Sequence, residues 1–259
     1  MRERRAPALP VDDSAFAEGR GCYTSVRIAG GRARFEARHL RRLARGARAL
    51  ALGEFDPAAA RSALRDLART AFPGGEGIVR LQLSRDATGR IQLVGIPRPL
   101  GADPPVWTAI TAPLVHEGAI LAGGHKLTNR LVHALASDAA RRAGADEALL
   151  FDRAGRLVEA ARSNVIVIGD DDRPRTPPLE RGAVSGVARD VLMERIPEIS
   201  ERDVSANDLR RARAIVCTNA VRGVRPLARL DAGSPVGTDH PWVDRLRETL
   251  ADAAKDPRA

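Results

Sequence analysis

Between Thr128 and Ile168 a helical run leads into three short apolar runs, and this stretch limits the fold more than any other part of the chain. Leu131, Leu135 and Ala139 recur at helical spacing over 128–143, and Gly144 ends the repeat. Glu147 to Asp152, Leu157 to Ala160 and Val165 to Ile168 follow, with Arg153-Ala154-Gly155 turning the chain between the first two. A helix feeding strands this short must bury its apolar face on a sheet, so the expected fold class is α/β.

The flanking sequence alternates in the same way. Cys22 to Ile28 reads as a strand, Gly30-Gly31 as a hairpin turn and Ala33 to Phe35 as the return strand. Helices are expected over 39–52, ended by Gly53, and from Pro57 to about Phe72 behind the Asp56 cap. Gly77 to Ser84, Arg90 to Ile96 and Trp107 to Leu114 read as strands. Farther on, a helix is expected from about Val187 to Arg195, a strand from Ile215 to Thr218 and a closing amphipathic helix from Trp242 to Lys255. The expected organisation is a small α+β unit over residues 1–113, a linker over 114–124 and a larger unit over 125–259.

Composition narrows the partners. A net charge of +9 suggests nucleic acid, but the arginines are scattered, and one Tyr with five Phe cannot build base-stacking platforms. The arginine excess reads as compositional bias, with no nucleic-acid partner. A basic binding protein is the reading left from another class. No apolar run approaches the roughly 20 residues of a membrane helix, and MRERRAPALP lacks a following apolar segment, so a cytoplasmic location without membrane contact is expected. Cys22 and Cys217 lack metal or redox spacing and are expected to be reduced thiols. Asp170-Asp171-Asp172 reads as a solvated loop, and no metal site is expected.

Dinucleotide, P-loop, zinc-protease and nucleophile-elbow motifs are absent. There are two lysines, Lys126 and the near-terminal Lys255, so chemistry that needs a deprotonatable amine inside the fold has one candidate. Pyridoxal phosphate chemistry would also need a carboxylate for the ring nitrogen and an anion site at a helix start with an arginine. Glu159, the Gly186-Val187-Ala188 helix start and Arg42 match those parts. By pattern alone, Lys126 and Arg42 could equally be surface residues, Glu159 a strand-edge carboxylate, Asn219 a strand-end turn and Tyr23 a core aromatic.

Six segments stand in an order that resembles one family: GRGCYTSVRIAGG, HLRRL from His39, GHKLTNR, ADEALLFDRAGRLVEAARSN, TPPL with GAVSGVARD, and CTNAVRGVRPL. Together they are similar to the class IV aminotransferases, enzymes of fold type IV. The resemblance implies a small α+β domain and a larger α/β, barrel-like domain, with pyridoxal 5′-phosphate between them. It implies that Lys126 is the Schiff-base lysine, that Glu159 holds the pyridine nitrogen and that Arg42 grips the phosphate. Main-chain contacts from Val187 and Ala188 and from Asn219 and Ala220 would complete the phosphate site, with Asn164 beside the ring. Tyr23 is implied to face the substrate, and Arg27 and Arg90 are weaker candidates for its carboxylate.

Lys126-Leu127-Thr128-Asn129-Arg130 resembles the lyase branch of that family, which eliminates pyruvate from aminodeoxychorismate to leave 4-aminobenzoate for folate synthesis. A D-amino-acid or branched-chain transaminase is the alternative. Family members are normally homodimers acting on a small-molecule substrate. The chain departs from the family in carrying Val187-Ala188 where relatives have Ile-Thr, which removes a hydroxyl contact, and Asp86 where they have glycine.

Overall fold

The structure, a computed structural model, describes residues 10–118, 123–233 and 236–256. Part of the expected 114–124 linker and the first nine residues lie outside these ranges. A short helix α1 (Ser14–Ala17) leads into β1 (Cys22–Ala29) and β2 (Arg32–Ala33). Two helices, α2 (Glu36–Ala49) and α3 (Pro57–Ala71), precede β3 (Gly77–Arg85) and β4 (Ile91–Arg98). These strands form an antiparallel sheet in the order β2-β1-β3-β4. Its apolar face is covered by α2 and α3 through Val26, Ile28, Leu43, Leu64, Val79 and Leu81. Asp56 caps α3 by accepting from the Ala58 and Ala59 amides, with Pro57 in the first turn.

The return strand expected to reach Phe35 stops at Ala33. Phe35 instead adopts a left-handed backbone, φ 54°, at the start of α2. That turn buries its ring among the helices of the second half of the chain, a tertiary gain that outweighs the local preference of a bulky residue.

The second sheet begins with β5 (Trp107–Val115), continues after α4 (Leu131–Arg142) with β6 (Glu147–Phe151), β7 (Leu157–Ala160), β8 (Asn164–Ile168) and β9 (Pro174–Thr176). After α5 (Val187–Arg195), β10 (Ser200–Glu201) and α6 (Ala206–Arg211) come β11 (Ala214–Asn219), β12 (Gly223–Leu230) and α7 (Pro241–Ala253). The eight strands run β10-β9-β8-β11-β12-β5-β6-β7, with both parallel and antiparallel pairs, so the chain is α/β as expected.

Three sequence expectations change here. The first unit, expected over 1–113, takes in most of the strand that begins at Trp107, but β5 pairs with β12 and β6, so the chain changes sheets over residues 99–106, ahead of 114–124. The strand β12, unforeseen because Pro226 interrupts it, lies centrally; Pro226 stands just ahead of the Leu227↔Trp107 pairing with β5. On α4 the face turned inward is Ala136, Ala139 and Ala140, while Leu131 and Leu135 are exposed. Small residues let the helix approach β5 and β6 closely, which leucines on that face would prevent.

A backbone pairing joins the two halves. The Tyr23 amide donates to the Lys126 carbonyl at 2.9 Å, and the Thr128 amide donates to the Gly21 carbonyl at 2.8 Å. The lysine segment is thereby held as a short extra partner of β1.

Candidate active site

A cavity of 340 Å³ lies where β1, the lysine segment, β7, the start of α5 and the β11–β12 turn meet. Its walls include Tyr23, Arg42, Lys126, Glu159, Asn164, Val187, Asn219 and Ala220, so the structure brings most of the sequence candidates together. Ala188 is buried just behind, in the core under α5. Arg27 and Arg90 do not line the cavity. Arg27 donates to Glu76 at 2.9 Å and to the Val221 carbonyl, and Arg90 stands exposed in the β3–β4 turn. Their assignment to a substrate carboxylate is not supported here: Arg27 shares the face of β1 that carries Tyr23 and Ser25, but it lies farther along the strand and is taken up by Glu76 and Val221.

Lys126 is partly buried as a residue, yet burial of its amine is the main cause that lowers its pKa below the ordinary lysine value. Arg42 and Arg130 add repulsion, against attraction from Tyr23 and Glu159. An amine so placed can lose its proton and attack a carbonyl.

Arg42 is 7% exposed, and its Nη2 donates to Thr24 Oγ1 at 2.5 Å. Thr24 Oγ1 accepts that bond and so donates its own proton to His39 Nδ1 at 2.6 Å, leaving His39 neutral with its proton on Nε2. Burial first, then Arg42, drives the His39 pKa well below the ordinary imidazole value. Arg42 Nε has no hydrogen-bond partner, and burial lowers the Arg42 pKa to about 10. A buried guanidinium with a free donor at a cavity wall calls for an anion.

The helix start α5 supplies amides to the same region. Gly186 caps it with no side-chain hydrogen bond, so the first-turn N–H groups have no intrahelical acceptor. A Cβ on Gly186 would lie 1.9 Å from Asn164 Oδ1, so only glycine fits there. Asn164 in turn donates to the Val184 carbonyl at 2.9 Å and braces the segment entering the helix.

The β11–β12 turn is shaped by Asn219 Oδ1, which accepts from the Val221 and Arg222 amides at 3.0 and 2.8 Å. Its Nδ2 donates to Ser163 Oγ at 3.1 Å, and Ser163 Oγ donates to Glu147 at 3.0 Å. Glu147 is fully buried, and burial raises its pKa despite Arg162 nearby.

Glu159 is 3% exposed and is the one carboxylate among the lining residues. Its Oε2 accepts from the Val184 amide at 3.0 Å, and its Oε1 is 2.9 Å from His133 Nε2. Tyr23 is held between cations. Arg130 Nη1 donates to its hydroxyl at 2.8 Å, and the Arg80 guanidinium lies 3.8 Å from its ring centroid. Burial raises the Tyr23 pKa, but Lys126, Arg130 and Arg80 together leave it lowered.

Sequence reasoning missed Thr24, His39, Arg80, Arg130, His133 and Ser163 as site residues. Arg130 and His133 had a signal in their closeness to Lys126. Arg80 had only strand alternation, which arginine abundance obscured.

The donor set fits pyridoxal phosphate: a desolvated amine, a buried carboxylate, an unsatisfied arginine and free helix-start amides face one cavity. Known proteins similar to this chain include users of that cofactor. The chain is 28% identical to a 4-amino-4-deoxychorismate lyase from Pseudomonas aeruginosa, covering 99% of this chain and 98% of the other, with a TM-score of 0.85. A hypothetical aminotransferase from Mycobacterium tuberculosis, solved in its pyridoxal-phosphate-bound form, is 24% identical over 98% of this chain and 95% of its own, with a TM-score of 0.85. A Methanocaldococcus jannaschii protein, whose name gives branched-chain-amino-acid aminotransferase as a provisional activity, is 28% identical over 137 residues. That match spans 51% of this chain and 46% of the relative, so the chain spans about half the length of the curated relative it matches. The family model for amino-transferase class IV matches residues 21–230, and the chain belongs to that family.

Proposed function

We propose that the chain is a pyridoxal-phosphate-dependent 4-amino-4-deoxychorismate lyase that releases pyruvate and leaves 4-aminobenzoate. The observation that carries this reading is the pair Arg80 and Arg130. Both line the cavity beside Tyr23, and their hydrogen-bond partners are neutral, Gln82 for Arg80 and Tyr23 for Arg130. Arg80 Nε is buried without a partner. Two guanidinium groups with no carboxylate suit a substrate that brings two of its own, as aminodeoxychorismate does, and suit a branched aliphatic amino acid poorly.

When bound, pyridoxal phosphate supplies an electron sink for the carbon that carries the substrate nitrogen. Lys126 Nζ would hold the cofactor, be released by the substrate amine and then take a proton from that carbon. Arg42 and the first-turn amides of α5 would hold the phosphate, and Glu159 the ring nitrogen. Arg80 and Arg130 would orient the substrate carboxylates so that the enolpyruvyl ether is aligned to leave, and Tyr23, held by Arg130 and with its ring centroid 5.2 Å from Lys126 Nζ, is a second group able to move a proton.

The purified protein is expected to release 4-aminobenzoate from aminodeoxychorismate with no keto acid present. Amino-group exchange that requires a keto acid, without that release, would replace the lyase by a transaminase.

A further inference from the structure

Glu159 is contacted by a pair of histidines that the mechanism leaves unused. His133 Nε2 lies 2.9 Å from Glu159 Oε1, and His116 Nε2 lies 3.9 Å from the same oxygen. The two imidazoles meet edge to face, with centroids 5.5 Å apart and planes at 89°. His116 is 8% exposed, so its ring is fixed by packing as well as by hydrogen bonding.

These three side chains are close enough to suggest a metal, since their ligand atoms lie within 4.8 Å of one another. The hydrogen bonding argues otherwise. The Gly118 amide donates to His116 Nδ1 at 3.0 Å, so a neutral His116 carries its proton on Nε2, the atom that faces Glu159. Burial lowers the His116 pKa and favours that neutral form. A metal at Nε2 would have to displace the proton that this bond locates there, so the atom acts as a donor. As a carboxylate, Glu159 can only accept, so its Oε1 takes a hydrogen bond from His133 Nε2.

The acceptor count then matters. A carboxylate offers about four lone-pair sites. The Val184 amide occupies one on Oε2 and His133 one on Oε1, while the His116 N–H is directed at Oε1 from farther away. Acceptor capacity remains, on a carboxylate that lines the cavity.

We propose that His133, backed by His116, is a positioning residue that fixes the Glu159 carboxylate so that its open acceptor site faces the cavity and receives the ring nitrogen of the cofactor. This rests on the pyridoxal-phosphate reading given under the proposed function. His133 itself lines the cavity, but the role assigned to it does not depend on contact with substrate or cofactor. It acts through Glu159, in the way that outer partners orient the groups that do the binding.

The test uses apoprotein titrated with pyridoxal 5′-phosphate and, separately, with its 1-deaza analogue, in which carbon replaces the ring nitrogen. His133→Ala is expected to weaken pyridoxal phosphate binding by about tenfold and to leave the analogue within about twofold. kcat is expected to fall by about ten- to a hundredfold with KM little changed. His133→Gln keeps an N–H donor at the position of Nε2 and is expected to restore both quantities to within about threefold. Far-UV circular dichroism checks that each variant is folded. Equal weakening of both ligands, no weakening of either, or no rescue by glutamine would overturn the positioning role. A wild type that binds the analogue as well as pyridoxal phosphate would instead remove the Glu159 reading on which it rests, a separate outcome seen before any histidine is changed.

Discussion

Lys126 is the only described lysine in the cavity, and the fold makes its charge costly. Its pKa lies below the ordinary 10.5, mainly through burial. A protonated Lys126 therefore opposes folding, and stability is expected to rise as the pH climbs from the lowered value toward 10.5. Lys126→Met should melt at a higher temperature than the wild type at pH 7, with the advantage shrinking in alkaline buffer, while turnover falls by at least about a thousandfold. Thermal melts and a 4-aminobenzoate assay check both halves; a variant less stable at pH 7 would contradict the argument. Glu147 has the opposite sign of shift. Its pKa is raised from 4.5 by burial, so whatever stability it allows in acid is lost as the pH rises from 4.5 toward the folded value. Glu147→Gln should flatten the stability profile over that interval in a series of denaturant melts, and a profile unchanged in slope would show that Glu147 is not its source. Lys126 was legible in the sequence because lysine is so scarce. Glu147 was not, because nothing local marks which strand carboxylate ends fully buried beside Ser163.

At the scale of elements, α5 was readable to the residue. Gly186 ends the preceding loop, the helix runs Val187–Arg195, and the glycine is required by contact rather than by backbone angle. Gly186→Ala must displace Asn164, whose Oδ1 occupies the place of the new methyl. It is expected to lose about 1–3 kcal/mol of stability, in the range of overpacking, and to weaken pyridoxal phosphate binding as well, because Asn164 braces the helix entry. Asp56→Ala at the start of α3 should cost about 1 kcal/mol and leave cofactor binding intact, since that cap lies on the helical layer outside the cavity. Urea titrations of the two variants beside cofactor titrations separate the cases. On α4 the helical period was correct and the inward face was not. Periodicity shows that a helix is amphipathic, but here the alanines pack and the leucines face outward.

For the whole molecule, the outward leucines carry the partner question. Leu131 is 66% exposed and Leu135 43%, one turn apart and next to the lysine segment. We propose that they are covered by a second copy of the chain in a homodimer. Sedimentation should give twice the chain mass, with Leu131→Asp/Leu135→Asp shifting it to the monomer; a wild type that sediments as a monomer at micromolar concentration would refute it. What the sequence determined by itself was local: most strands and helices, the helix start at Gly186, the scarcity of lysine and the six ordered segments that imply the family. Turn chemistry and hydrophobic period act over a few residues, so they survive without a structure. Tertiary structure alone decided that β5 and the Pro226-bearing β12 pair with each other, and that residues 126–128 pair with 21–23. It also set Arg130 on the Tyr23 hydroxyl across 107 residues and His133 on Glu159 across 26. Those contacts depend on the order of strands in a sheet, and the charge on each group depends on what that order buries beside it.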